Sequence, residues 1–154
     1  MKHWLMKSEP DVYGIEDLKR DGSTCWEGIR NYTARNFMRD DMKVGDLVLF
    51  YHSQARPPGV AGIARVCREG YPDPYAFDPD SRYFDKKSKP KMPTWMMVDI
   101  EWVETFPRLI SLQELKDDKA LEDMLVVRKG QRLSIQPVEP QHYAHIVALA
   151  KKPA

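Results

Sequence analysis

The chain has 154 residues, with 24 Lys and Arg against 23 Asp and Glu and a formal net charge of +1. That length suits one domain whose hydrophobic core needs no metal or disulfide staple, and so balanced a charge excludes nucleic-acid binding through the overall field, leaving only a local patch to do it. The two cysteines, Cys25 and Cys67, lack paired spacing and no long apolar run is present, which fits free thiols in a soluble, cytoplasmic protein with no metal, cofactor, membrane span or cleavable leader.

His3 to Met6 reads as a first strand that Glu9-Pro10 ends, because proline removes a donor and restricts the residue before it. Lys7, Ser8 and Glu9 are thereby left at a strand end. Ile15 to Arg20 is a short helix before the Asp21-Gly22 turn. Cys25 to Arg39 then joins Trp26, beside Gly28, to a helix that Asn31 caps and whose Ala34, Phe37, Met38 and Met42 share one stripe. Arg35 and Arg39 lie on the opposite side, one turn apart. Trp26 has two readings. It is a core or loop-anchoring residue, or its indole face is left uncovered next to a basic helix start, where a nucleobase and a phosphate would dock.

Leu47 to Tyr51 is an apolar run of strand length, read as covered on both faces and ending in the polar group His52-Ser53-Gln54. Val60 to Val66 is its hairpin partner, and Gly62 inside it marks a bulge, a barrel corner or a close backbone approach, so a curved sheet is favoured over a flat one. Gly70 to Pro93 is a proline-rich connection carrying Tyr71, Tyr75, Phe77, Tyr83 and Phe84, and connections of that length inside a domain are usually functional or disordered. Its aromatics argue against plain disorder. Within it, Arg82, Lys86, Lys87, Lys89 and Lys91 face only Asp85, which makes a backbone-binding patch or simply a solvated loop.

Thr94 to Val103 alternates as a strand, with Met96, Val98, Ile100 and Trp102 toward a core and Trp95 pointing away from it. Ser111 and Glu114 have capping-box spacing and open a short helix, and Leu121 to Leu125 is a further helical turn. Arg132 to Val138 is a last strand, and Pro140 starts a C-terminal helix whose Tyr143, Ile146, Val147 and Ala150 pack on the sheet. There is no Gly-rich phosphate loop, zinc-protease motif or nucleophile elbow, which argues against common nucleotide and ester hydrolysis. His142 and His145 lack a third ligand, and His52-Ser53 is a weak hydrolytic dyad without a carboxylate in sequence. Lys7-Ser8-Glu9, Trp26 to Asn31, Tyr51-His52-Ser53 and Ser134 to Gln136 place polar groups at strand ends next to rings, and convergent strand ends form small pockets.

Taken together, Trp4 to Pro10, Cys25 to Arg39, Phe50 to Ser53, Gly59 to Ala64, Tyr71-Pro-Asp73, Tyr83-Phe-Asp85, Val98-Asp99 and Arg132 to Val138 resemble the EVE domain family nearly end to end. Glu27, Thr33 and Thr94 depart from the Asp, Gln and Arg common there, and the missing Arg puts one phosphate interaction in doubt that Lys91 can replace. The resemblance implies one EVE domain over residues 1–152 with an α+β, PUA-like fold, a curved or pseudo-barrel sheet flanked by short helices and a C-terminal helix. It implies a non-catalytic reader of a modified base, chiefly a modified cytosine in DNA. By likeness to the related YTH domains, Lys7-Ser8-Glu9 and Trp26 match pocket segments, and a second ring comes from the Tyr71 to Trp95 connection.

The expected base pocket therefore draws on Ser8, Glu9, Trp26, Asn31, Tyr51, His52, Ser53, Phe84, Trp95, Ser134 and Gln136. Glu9 suits the exocyclic amine of cytosine. Backbone contacts are expected from Lys7, Arg30, Arg35, Arg39, Lys86, Lys87, Lys89, Lys91 and Arg132. The alternative is a small amidohydrolase acting on a modified pyrimidine nucleoside, as in the related ASCH domains, with Lys7 and Glu9 as nucleophile or base.

Overall fold

The computed structural model describes residues 1–153. Its strands are β1 (His3–Ser8), β2 (Ser23–Cys25), β3 (Leu47–His52), β4 (Gly59–Pro72), β5 (Met96–Ser111) and β6 (Ile135–Val138). They form one six-stranded sheet in the order β2-β5-β4-β3-β1-β6. β1 runs parallel to β3 and every other neighbour pair is antiparallel. A parallel pair needs a crossover. The chain uses it to carry α1 (Pro10–Tyr13), α2 (Ile15–Asp21), α3 (Tyr32–Asn36) and a π-helical turn, Phe37–Asp41.

Alternation along β1 and β3 divides the core between two faces. Trp4, Met6, Val48 and Phe50 pack with Leu18, Ala34 and Met38 from the crossover helices. Leu5, Leu49 and Tyr51 pack on the other face, against Leu115 of α4 (Leu112–Asp117) and Ile146 of α5 (Pro140–Ala150). The β3 run is thus covered on both sides, as its continuous hydrophobicity predicts. Ser111 caps α4 by accepting from the Glu114 N–H at 3.1 Å. The Glu114 carboxylate does not return to the cap, because Arg108 holds it at 2.7 and 3.0 Å while also donating to the carbonyls of Leu149 and Lys152 at the end of α5.

The β4/β5 ribbon bends through successive register shifts, one of them between Val60 and Gly62. A Cβ on Gly62 would sit 2.3 Å from the Glu104 carbonyl oxygen, so the close backbone approach is what requires glycine there. The sheet curves but stays open at β2 and β6. The same bulges carry β4 to Pro72 and β5 to Ser111, beyond the expected ends at Val66 and Val103, because each shift resets the alternation that marks a strand. The last strand is shorter than expected, and the turns Lys119–Leu121 and Leu125–Val127 are 3₁₀. α1 and β2 were too short to leave a period in the sequence. Trp95 precedes β5 and does not point outward into solvent. It is buried, stacked on Tyr32 and donating through Nε1 to Asp85 at 2.7 Å.

Candidate nucleic-acid interface

Where β1 ends, the chain turns at once into α1, and the two form one wall of a cleft of about 470 Å³. Ser8 Oγ donates to the Tyr13 carbonyl at 2.5 Å, and the Glu9 carbonyl accepts from the N–H groups of Val12 and Tyr13. Strand end and helix are therefore fixed to each other, with Lys7, Glu9, Val12 and Tyr13 on the cleft. The facing wall is Thr24 to Ile29, held to the sheet by the Trp26 N–H, which donates to the Val98 carbonyl at 2.8 Å. Arg82 and Tyr83 close the third side.

Asp73, fully buried just beyond β4, ties these walls together. Its carboxylate accepts from Gly28 N at 2.8 Å, Tyr75 N at 2.9 Å and the Arg30 guanidinium at 3.1 Å. Arg30 also donates to the Tyr83 carbonyl at 2.7 and 3.2 Å. A buried carboxylate is tolerated when it is paired and fully hydrogen-bonded, and this one has both conditions met. Gly28 has φ +81°, and a Cβ there would lie 2.5 Å from Tyr83 Cζ, so the tyrosine ring rests directly on the glycine backbone.

Charges around the cleft nearly cancel, with Lys7 and Arg82 against Glu9 and Glu27. Burial lowers the Lys7 ammonium below its ordinary value. Burial first, and then the hydrogen bond to Glu27 at 3.2 Å, pushes the Cys25 thiol up to about 12, so it stays protonated. Tyr13, Trp26 and Tyr83 are among the cleft's lining residues, and the two carboxylates beside them disfavour a free phosphate.

The EVE domain family model matches residues 2–149. The chain belongs to the EVE domain family. Human thymocyte nuclear protein 1 is 41% identical over 169 residues, covering 97% of this chain and 74% of that protein. A Pseudomonas putida crystal structure is 51% identical with a TM-score of 0.92, covering 96% of this chain and 99% of that one. The human THYN1 protein, solved in complex with 5-methylcytosine-containing DNA, is 40% identical with a TM-score of 0.92 and full coverage of both chains. The open, curved sheet of this EVE domain is accordingly the PUA-like α+β fold.

Of the expected site residues, Lys7, Ser8, Glu9 and Trp26 meet at the cleft. Trp26 is only 8% exposed, however, and packs edge-on against Phe50 at 5.8 Å, so the uncovered indole plate is corrected to a core tryptophan with a rim on the cleft. The other stretches do not converge there. Asn31 caps α3 by accepting from Ala34 N at 3.0 Å. Tyr51 is buried on the second face of the sheet. His52 Nε2 is occupied, accepting from the Ile15 N–H at 3.1 Å, with its pKa lowered by burial, Ser53 donates its backbone N–H to the Ser8 carbonyl, and among the described residues no hydrogen bond joins the two side chains. The Ser134 carbonyl receives the Lys7 N–H, and the buried Gln136 amide donates to the Leu133 carbonyl at 2.9 Å. Phe84 is half-exposed and off the cleft, whereas its neighbour Tyr83 lines it.

Lys7 apart, which lines the cleft, the expected backbone-binding cations divide in two. Arg30 is committed to Asp73 and Tyr83, Arg35 to the Thr94 carbonyl and the Asn36 amide oxygen, and Arg39 to Asp40 at 2.8 Å. Lys86, Lys87, Lys89, Lys91 and Arg132 are exposed with no ion pair among the described residues. Val12, Tyr13, Thr24 and Asp73 carry no local signal in the sequence, whereas Arg82, expected in the basic loop patch, lines the cleft. Tyr71-Pro-Asp73 was legible only as part of the family resemblance, since nothing local marks Asp73 as a buried anchor.

Proposed function

We propose that this EVE domain is a non-catalytic reader that takes a modified cytosine of DNA out of the stack and into the cleft between Glu9, Trp26 and Tyr83. The observation that carries the reading is the composition of that cleft: Tyr13, Tyr83 and the Trp26 rim among its lining residues, and a balance of charge with two carboxylates at hand. The human relative bound to 5-methylcytosine-containing DNA, similar over the whole chain, supports it. Stacking supplies roughly 1 to 3 kcal/mol per base, which offsets the few kcal/mol needed to flip a base from a duplex. Glu9 accepts from the N4 amine, and Val12 and Ile29 offer apolar contact to a C5 substituent.

The test is a titration of matched oligonucleotides carrying cytosine, 5-methylcytosine, 5-hydroxymethylcytosine or N6-methyladenine at one position. A preference for a modified cytosine is expected, and equal affinity for all four would remove the reading. Lys7, with its ammonium pKa lowered by burial on the cleft wall, is the observation that favours the amidohydrolase alternative. Incubation with N4-acetylcytidine is expected to give no product, and turnover that vanishes in Lys7→Ala would reverse that ranking.

A further inference from the structure

Leading away from the cleft is a stack of alternating guanidinium groups and rings. The Arg82 guanidinium lies 4.8 Å from the Tyr83 centroid, and Arg30 lies 5.5 Å from Tyr83 and 5.2 Å from Trp95. Trp95 in turn stacks on Tyr32 at 5.0 Å and 27°, and Arg35 lies 4.9 Å from the Tyr32 centroid. The stack begins at the cleft wall and ends in solvent. Tyr32 remains 61% exposed even with Trp95 and Arg35 against it.

An exposed ring on a mobile loop would carry little meaning, but this one is held by its helix and by the two side chains packed against it. It opens α3 immediately after the Asn31 cap. Trp95 beneath it is fixed by its bond to Asp85, and Arg35 beside it by bonds to the Thr94 carbonyl and the Asn36 amide oxygen. The ring is therefore ordered before any ligand arrives, while most of its surface is still in water. A pre-ordered aromatic face with a guanidinium alongside is what single-stranded nucleic-acid sites use to stack bases without regard to their identity.

We propose that Tyr32 is a second nucleobase platform, which stacks an unpaired base from the strand whose modified cytosine enters the cleft. The proposal rests on the cleft reading for the identity of the strand. Tyr83 and Tyr32 are separated by Arg30 and Trp95, with steps of 5.0 to 5.5 Å, whereas stacked nucleotides advance about 3.4 Å along a strand. The base on Tyr32 is thus not stacked on the one in the cleft, and the strand must be opened between them. Single-stranded or locally unpaired flanks are the ligand class this geometry takes.

The experiment uses short single-stranded oligonucleotides with one 5-methylcytosine, flanked either by normal nucleotides or by abasic sugars, and a parallel pair with plain cytosine. Wild-type protein should lose about 5- to 150-fold in affinity when the flanks become abasic, the range for losing one stacked base. Tyr32→Ala should lose a comparable factor on normal flanks and then be insensitive to abasic ones, while Tyr32→Phe binds as wild type. Tyr32→Leu keeps apolar cover on Trp95, so its behaving like Tyr32→Ala assigns the loss to stacking and not to a loosened Trp95. Wild-type affinity in Tyr32→Leu, or an abasic penalty of equal size with and without Tyr32, overturns the proposal. If the Tyr32-dependent penalty appears with both bases and no modified-base preference exists, the platform stands and the cleft reading falls. An intact preference with no Tyr32-dependent penalty removes the platform alone.

Discussion

Trp26→Ala separates a core tryptophan from a ligand platform, and the structure predicts a large cost to the fold. The indole is 8% exposed, lies among Met6, Phe50 and Val98 in the core on the crossover-helix face, and meets Phe50 edge-to-face at 5.8 Å and 87°. Truncating such a residue costs about 3 to 5 kcal/mol, through lost transfer energy and the cavity left behind. A domain of this size loses roughly 2 to 4 °C of melting temperature per kcal/mol, so the expected fall is roughly 6 to 20 °C. Circular-dichroism melts of wild type and variant, each repeated with saturating 5-methylcytosine oligonucleotide, give both quantities. Ligand should stabilise wild type and not the variant, because the rim of the indole facing the cleft is removed as well. A fall of under about 3 °C would show that the indole does not carry core packing.

Asp73→Ala should leave Arg30 and the Gly28 amide without their acceptor, at about 3 to 5 kcal/mol in urea unfolding, and should abolish binding at temperatures where the protein remains folded. Unchanged stability would mean that the buried pair does not anchor the cleft walls. Neutralising Lys86, Lys87, Lys89 and Lys91 together should weaken duplex binding and reduce the salt slope by about 0.9 for each phosphate that these lysines neutralise; an unchanged slope would make the segment a solvated loop. Cys25, with its thiol pushed up to about 12, should alkylate at pH 8 more slowly than a thiol of ordinary pKa, and Glu27→Gln should speed it. The sign for stability follows from a folded pKa raised above the unfolded one: the thiol's contribution is complete below about pH 9 and is lost as pH rises toward 12. Rapid labelling at pH 8 would contradict the half-buried, carboxylate-facing thiol.

The central strands and the C-terminal helix were legible because their patterns are governed by burial alone. Leu47 to Tyr51 reads as doubly covered since both faces are packed, and Pro140 with Ile146 and Ala150 marks a helix with one apolar side. Gly62 announced curvature because only a missing Cβ admits the Glu104 carbonyl. The bulged ends of β4 and β5 were not legible, since a register shift erases the alternation on which strand reading depends. The cleft was half legible. Lys7 to Glu9 and Trp26 end or follow strands, a local property, whereas Tyr83 and Asp73 reach the site through long-range interactions with Gly28 and Arg30. The same interactions explain why Arg30 and Arg35 were read as free cations: their partners lie in the aromatic connection and just before β5, distant in sequence.

The central claim, that a modified cytosine is bound in the cleft, is tested most directly by a crystal structure of this EVE domain with a 5-methylcytosine oligonucleotide. The modified base is expected out of the DNA stack, between the Trp26 rim and Tyr83, with its N4 amine donating to Glu9. A complex in which 5-methylcytosine stays stacked in the DNA, with no base between Trp26 and Tyr83, would contradict it.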